Sequence, residues 1–207
     1  MLNTLISSAL SASLIFTPIS VGEVNVAGQA GQLVEQGQQV LASETIDLSD
    51  RYPVASVSEG FKENILIALG FLGTNIKLEP GEVFAFHNKG ILSEFKQDKI
   101  ITQPSDFTTD TGYKIVAGLG GNGVCHLASL MNKVAHEAGL EVTSPTNHNF
   151  ATIPGIEPEY GTSISTRNSP ERQNLYIRNS FDFPVELRFT LVSEFLAFSV
   201  LDVSGFN

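Results

Sequence analysis

An α+β fold is the class that this sequence predicts, from two helical segments and three β-prone runs near the C-terminus. Apolar residues recur with helical spacing over residues 61–72 and again over 127–138, and a glycine stops each segment. The β-prone runs are 175–179, 185–191 and 195–201, and the second alternates apolar with polar side chains. We expect helices packed on a mostly antiparallel sheet that ends in a β-meander.

Short signals place the remaining elements between these segments. Pro80 and Gly81 predict a turn into a strand over residues 82–86, and a strand-like stretch at 140–144 breaks at Pro145. Turn residues at 182–184 and 193–194 separate the last three β-prone runs.

The N-terminal quarter differs in composition from the rest. Residues 1–22 are about as long as a signal-peptide core but lack a basic start, and 23–50 read as a linker or variable extension. Within them, residues 27–43 are rich in Gly and Gln and predict a linker or weak helix. We expect an exported protein with one main domain over 51–207, and a cytoplasmic protein with an amphipathic or disordered N-terminus is the alternative.

Charge and composition exclude several classes of function. The 207 residues carry 22 acidic and 12 basic side chains, a formal net charge of −10, which argues against nucleic-acid binding and against adhesion to anionic surfaces. The 42% hydrophobic content is enough for one well-buried domain. A single cysteine excludes an intramolecular disulfide and the cysteine-rich zinc patterns.

That cysteine, Cys125, follows a glycine-rich run and directly precedes the second helical segment. The free N–H groups and positive dipole end of a helix start favour a thiolate, so we expect the thiol to ionise more readily than an ordinary one. A free cysteine is also often a small buried hydrophobe.

His148 is the predicted partner of this thiol. A strand returning from the end of the helix brings its far end back toward the helix start, so His148 could meet Cys125 and form a nucleophile and base pair. The alternatives are a histidine that merely caps a loop, and a zinc site built from Cys125, His126 and His148.

Other polar side chains are expected on the surface. On the second helix, Asn132, Lys133 and Glu137 fall between apolar positions and should face solvent, as should His136 near the helix end. His87 is expected to be a surface residue at a strand end, although it could line the same cleft as the cysteine.

Six blocks of this chain resemble the VanW domain and keep that family's order from about Arg51 to the C-terminus. They are residues 78–86, 111–113, 120–126, 138–141, 147–148 and 154–155. Three residues near the candidate site depart from the family pattern. They are His126, where the family commonly has Gln, and Thr146 and Asn149, which replace a His and a Ser.

The resemblance implies cell-wall chemistry, since some VanW-domain proteins are L,D-transpeptidases that cross-link peptidoglycan stem peptides through a cysteine. Cys125 would then be the nucleophile and His148 the base. Glu157, or else Glu159, would orient the imidazole. The expected substrate contacts are Gly121, Asn122, Gly123, His126 and Asn147.

The function predicted from the sequence is therefore that of a peptidoglycan-modifying cysteine acyltransferase of the cell envelope. We expect it to need no cofactor, to have stem peptides as partners, and to have no strong membrane association beyond a possible leader. Two alternatives stay open, a cysteine peptidase or amidase that cuts wall peptides, and a binding module without turnover.

Overall fold

Ten strands and two α-helices form the part of the chain that the computed structural model describes, residues 38–205. The helices are α1 (Ala55–Leu72) and α2 (Val124–Glu137). The strands are β1 (Gln39–Asp47), β2 (Asn75–Leu78), β3 (Val83–Ala85), β4 (Ile100–Thr102), β5 (Ile115–Val116), β6 (Leu119–Gly120), β7 (Glu141–Thr143), β8 (Tyr176–Arg178), β9 (Val185–Val192) and β10 (Phe195–Asp202).

The strands form two four-stranded sheets and one small hairpin. The first sheet has the order β1-β10-β9-β2 and is antiparallel throughout. The second has the order β4-β3-β8-β7, in which the β3–β4 pair is parallel. The hairpin joins β5 to β6 just before α2. The predicted α+β class, with helices against mostly antiparallel sheets, is confirmed.

The last two strands form a hairpin rather than part of a three-stranded meander. Ser193 makes the tight turn between β9 and β10 with a positive φ of 55°. The preceding β-prone run forms β8, which pairs with β3 and β7 in the other sheet. Local β propensity predicts a strand but not its neighbour, which explains the difference.

Part of the segment interpreted as a linker is a strand. Residues 39–47 form β1 and pair along their length with β10. The expectation of a linker or weak helix over 27–43 is therefore wrong for residues 39–43, and the strand continues to residue 47 within the predicted linker or variable extension. The hydrogen bonds and apolar contacts that stabilise this strand come from β10, so the local sequence does not predict them. The predicted leader, residues 1–22, lies outside the described residues.

Helix α1 ends where the glycine predicted, because the N–H of Gly73 caps the carbonyl of Leu69. It begins earlier than the apolar spacing suggested, at Ala55 rather than Phe61. Among residues 38–205 no helix is both long enough and apolar enough to cross a membrane.

Helix α2 is buried on almost every side, since α1, β1, β7 and β10 all pack against it. The expectation that Asn132 and Lys133 face solvent is wrong, and both are buried. The ammonium of Lys133 lies 3.1 Å from the Glu44 carboxylate of β1. The Asn132 amide donates to the carbonyl of Tyr160 at 3.0 Å. Segments distant in sequence cover the polar face of this helix and supply partners for it.

Candidate cysteine site

The turn into α2 is built from glycines in conformations that other residues rarely adopt. Gly121 and Gly123 have φ of 76° and 106°, both in the region that favours glycine. A Cβ on Gly123 would lie 2.4 Å from the backbone oxygen of Phe61 in α1. The glycine therefore allows a close approach between the start of α2 and α1.

Asn64, a fully buried residue of α1, fastens this turn. Its Oδ1 accepts a hydrogen bond from the N–H of Lys114 at 2.7 Å. Its amide nitrogen donates to the carbonyls of Lys114 and Asn122, at 3.1 and 2.9 Å. These bonds hold both ends of the β5–β6 hairpin, so the position of the cysteine depends on α1.

Cys125 is the second residue of α2 and is half-buried. Its Sγ accepts a hydrogen bond from the N–H of Ile164 at 3.4 Å and lies 3.8 Å from the Ile164 carbonyl oxygen. The residue lines a cavity of about 270 Å³, together with Gly121 and Asn122 of the glycine-rich turn and Phe150. Cys125 therefore borders a cavity at the start of α2.

The prediction of a readily ionised thiol is wrong for this structure. Burial raises the pKa of Cys125 above its ordinary value, and hydrogen bonds from the backbone of Ile164 and of Cys125 itself oppose the rise without cancelling it. The free-energy cost of removing a thiolate from water exceeds the stabilisation that the hydrogen bonds from nearby N–H groups provide.

One lining residue of the cavity has an unusual backbone conformation. Phe107, a buried lining residue, has a positive φ of 51°. His87 packs on the Phe107 ring with centroids 5.7 Å apart, and its Nε2 lies 2.9 Å from the carbonyl oxygen of Gln173. His87 is fully buried, so the expectation of a surface histidine is wrong; it lies behind the cavity wall.

His148 contacts a different partner from the one predicted. Its ring packs against Phe150 at 4.0 Å and against His126 at 6.3 Å between centroids. Within residues 38–205, the hydrogen bonds of Cys125 Sγ all go to backbone atoms of Ile164, and none joins it to His148. His148 instead lines a second, smaller cavity of about 140 Å³.

His126 points into the protein, not into the cysteine cavity. Its ring packs edge-on against Phe61 at 5.2 Å, and only 6% of the residue is exposed. Burial, with the neighbouring charge of Arg51, lowers the pKa of His126 to about 3. Successive helix residues point about 100° apart, so Cys125 and His126 necessarily face different surroundings.

The expected substrate contacts therefore divide into two groups. Gly121 and Asn122 line the cysteine cavity, whereas Gly123, His126 and Asn147 are not among its lining residues. The Asn147 amide donates to the carbonyl of Pro158 at 3.0 Å. Gly123 contributes instead by letting the turn pack on α1.

Glu157 lines the smaller cavity with His148, but its carboxylate is paired elsewhere. It accepts from the Lys133 ammonium at 3.0 and 3.2 Å, and this hydrogen bond lowers the pKa of Glu157. Glu159 is exposed on the following turn. Neither carboxylate makes a hydrogen bond to His148 in the described part of the chain.

The zinc alternative needs three side chains that converge. Among residues 38–205, no group of three histidine, cysteine or acidic side chains is arranged to hold a metal ion. The divergence of Cys125 and His126 along the helix is the geometric reason.

The segment facing the sulfur was missed from the sequence. Ile164 supplies both backbone contacts to Sγ, and residues 163–167 form the wall opposite α2. This segment has neither helical nor strand periodicity and no known motif, so only its path in the fold reveals it. Its one visible signal is a group of four hydroxyl residues, at 162, 163, 165 and 166, that flank Ile164.

Comparison with known protein families identifies a match. A family model described as "VanW like protein" matches residues 61–201, which is more than half of the chain. Comparisons with curated proteins and with solved structures found no match. The matched range includes α2 with its cysteine, both walls of the cavity and the last strands. By this match, which bears out the resemblance seen in the sequence, the chain belongs to the VanW family.

Proposed function

We propose that the protein is a peptidoglycan-modifying cysteine acyltransferase that acts on stem peptides through Cys125. Membership of the VanW family is consistent with a cell-wall related role. Because stem peptides lie outside the cytoplasmic membrane, the proposal includes export to the cell envelope.

The observation that carries the proposal is the setting of the sulfur. Cys125 borders a cavity of about 270 Å³ at the start of α2, and the N–H of Ile164, another lining residue, donates to its Sγ. Backbone N–H groups so placed can stabilise a thiolate, or the oxyanion that forms when the thiolate attacks a carbonyl. No other cysteine exists in the chain to play this part.

The proposed chemistry proceeds in two steps. The Cys125 thiolate attacks the carbonyl carbon that precedes the terminal D-amino acid, the C–N bond breaks, and a proton passes to the departing amine. A thioester remains on the sulfur. The amine of a second stem then attacks the thioester, releases the thiol and forms a new peptide bond, whereas attack by water would make the protein a carboxypeptidase.

The proton transfers are assigned to His148 within this proposal. Burial lowers the pKa of His148, so its imidazole is neutral at pH 7 and can accept a proton. Since it makes no hydrogen bond to Cys125 among the described residues, the transfer requires a bridging water or a shift of residues 148–150. Phe150 links the two places, because it contacts the His148 ring and also lines the cysteine cavity.

The test is incubation of the purified protein with muropeptides, with the products resolved by mass. New cross-links support the acyltransferase, shortened stems support the peptidase alternative, and a Cys125→Ala variant should lose either product by orders of magnitude. The matched control is Cys125→Ser, which keeps the size of the residue but is a far weaker nucleophile. Unchanged turnover by Cys125→Ala would refute the proposal.

A binding module without turnover is the second candidate. The raised pKa of Cys125 favours it, because the thiol is protonated at pH 7. So does the lack of a hydrogen bond between His148 and Cys125 among the described residues, because no base then contacts the thiol. Stem-peptide binding with no covalent change in any muropeptide mixture would support this candidate over the first.

A further inference from the structure

We infer that the cysteine cavity recognises a carboxylate and that Arg167 is the residue that binds it. The inference rests on the proposed function, within which the ligand is the C-terminal carboxylate of the donor stem peptide. Arg167 is then a specificity-determining residue for peptides with a free end.

Arg167, an exposed residue, lines the same cavity as Cys125. Its Nη2 approaches the turn that leads into α2, since a Cβ on Gly120 would lie 3.8 Å from it. Among residues 38–205 the guanidinium has no ion-pair partner and no hydrogen-bond acceptor, while its backbone N–H donates to Ser165 Oγ. Its donors are thus available to a ligand.

The other charged residue of the lining is already neutralised. Asp106 lies 2.9 Å from the ammonium of Lys89 through its Oδ1. The cavity therefore carries an uncompensated positive charge, although the whole protein has a formal net charge of −10. An overall negative protein repels anions, so a carboxylate ligand needs such a local cation. A guanidinium suits this role because its planar donors match a carboxylate in a bidentate pair.

The covalent structure of the donor explains why both residues should share one cavity. Only a nitrogen and one Cα separate the attacked carbonyl carbon from the carboxylate carbon of the terminal residue. A thiol placed to attack that carbonyl must therefore have its carboxylate-binding group close by. The volume of about 270 Å³ falls below the roughly 300 to 1,000 Å³ of pockets for drug-sized ligands, which suits the end of a peptide.

The test measures binding alone, with the Cys125→Ala protein, so that turnover is not involved. The probes are the stem tetrapeptide L-alanyl-γ-D-glutamyl-L-lysyl-D-alanine, its counterpart with meso-diaminopimelate, and the C-terminal amide of each. We expect the free acids to bind roughly tenfold or more tightly than the amides by calorimetry. Introducing Arg167→Gln into the Cys125→Ala protein should remove the preference for free acids over amides.

Arg172→Gln is the matched control, because Arg172 is an exposed arginine five residues further on that does not line the cavity. It changes the net charge equally and should leave the preference intact. Equal binding of acids and amides, no binding of any probe, or a preference that survives Arg167→Gln would each overturn the inference. If Arg167→Gln removes the preference for free acids, the inference is supported, even if the wild-type protein forms no new product from muropeptides. In that case the acyltransferase proposal alone would fail.

Discussion

The imidazole rings of His126 and His148 pack edge to face, with their centroids 6.3 Å apart. Burial lowers the pKa of both, and each ring keeps an Nδ1 without a hydrogen-bond partner among the described residues. A proton on His126 would also face the buried guanidinium of Arg51, whose charge opposes it. Both rings are therefore neutral at pH 7.

Replacing His126 should make the fold less sensitive to acid. The pKa of His126 is about 3 in the folded protein, against an ordinary 6.5. As the pH falls below 6.5, the imidazole of His126 is protonated in the unfolded chain but stays neutral in the folded chain. The free energy of unfolding therefore falls between pH 6.5 and about 3, by up to about 5 kcal/mol from this residue.

Urea unfolding at a series of pH values measures this effect in His126→Gln, which introduces the residue common in the family at this position. The variant should lose less stability than the wild type over that range. The control is His136→Gln, which removes an exposed histidine from the same helix. Parallel pH profiles for wild type and His126→Gln would show that His126 is not held neutral.

The thiol of Cys125 should react with alkylating agents at a higher pH than an ordinary thiol. Burial raises its pKa, so the thiolate that reacts with iodoacetamide forms only in more alkaline solution. The single cysteine makes the alkylation rate a direct probe. The reference is the pH midpoint of the alkylation rate for the same protein unfolded in urea. A folded-state midpoint below that reference would mean that the helix start activates the sulfur after all.

Removing the side chain of Asn64 should destabilise the protein by roughly 2 to 4 kcal/mol. Asn64→Ala loses the three hydrogen bonds that tie α1 to Lys114 and Asn122, and leaves part-buried backbone groups without these partners. Glu63→Ala is the control, since Glu63 is the exposed neighbour on the same helix. Urea unfolding of both variants provides the measurement, and equal small losses would argue against this role.

Two glycine-to-alanine changes should have opposite effects. Gly123→Ala places a methyl group 2.4 Å from the Phe61 carbonyl oxygen at a φ of 106°, and should lower stability severely or prevent folding. Gly70→Ala lies in α1 with no atom within 4 Å of the new Cβ, and should raise stability by about 0.5 to 1 kcal/mol. Melting temperatures compare them. A well-folded Gly123→Ala of normal stability would contradict the close approach.

Local patterns in the sequence determined a large part of this fold. The glycine after Leu72 ends α1, the apolar spacing before Gly139 marks α2, and the β-prone runs became β8, β9 and β10. The position of Cys125 at a helix start also followed from the sequence alone. These features depend on backbone geometry and on periodicities of 3.6 and 2 residues, which neighbouring residues specify.

Tertiary structure alone decided what surrounds the cysteine and its neighbours. Ile164 reaches the sulfur, His148 packs on His126, and Lys133 is buried between acidic partners, because separate segments meet there. Residues 144–174, which supply much of this arrangement, contain neither an α-helix nor a β-strand. Their path is set by packing and hydrogen bonds to distant residues, and no local periodicity encodes such contacts.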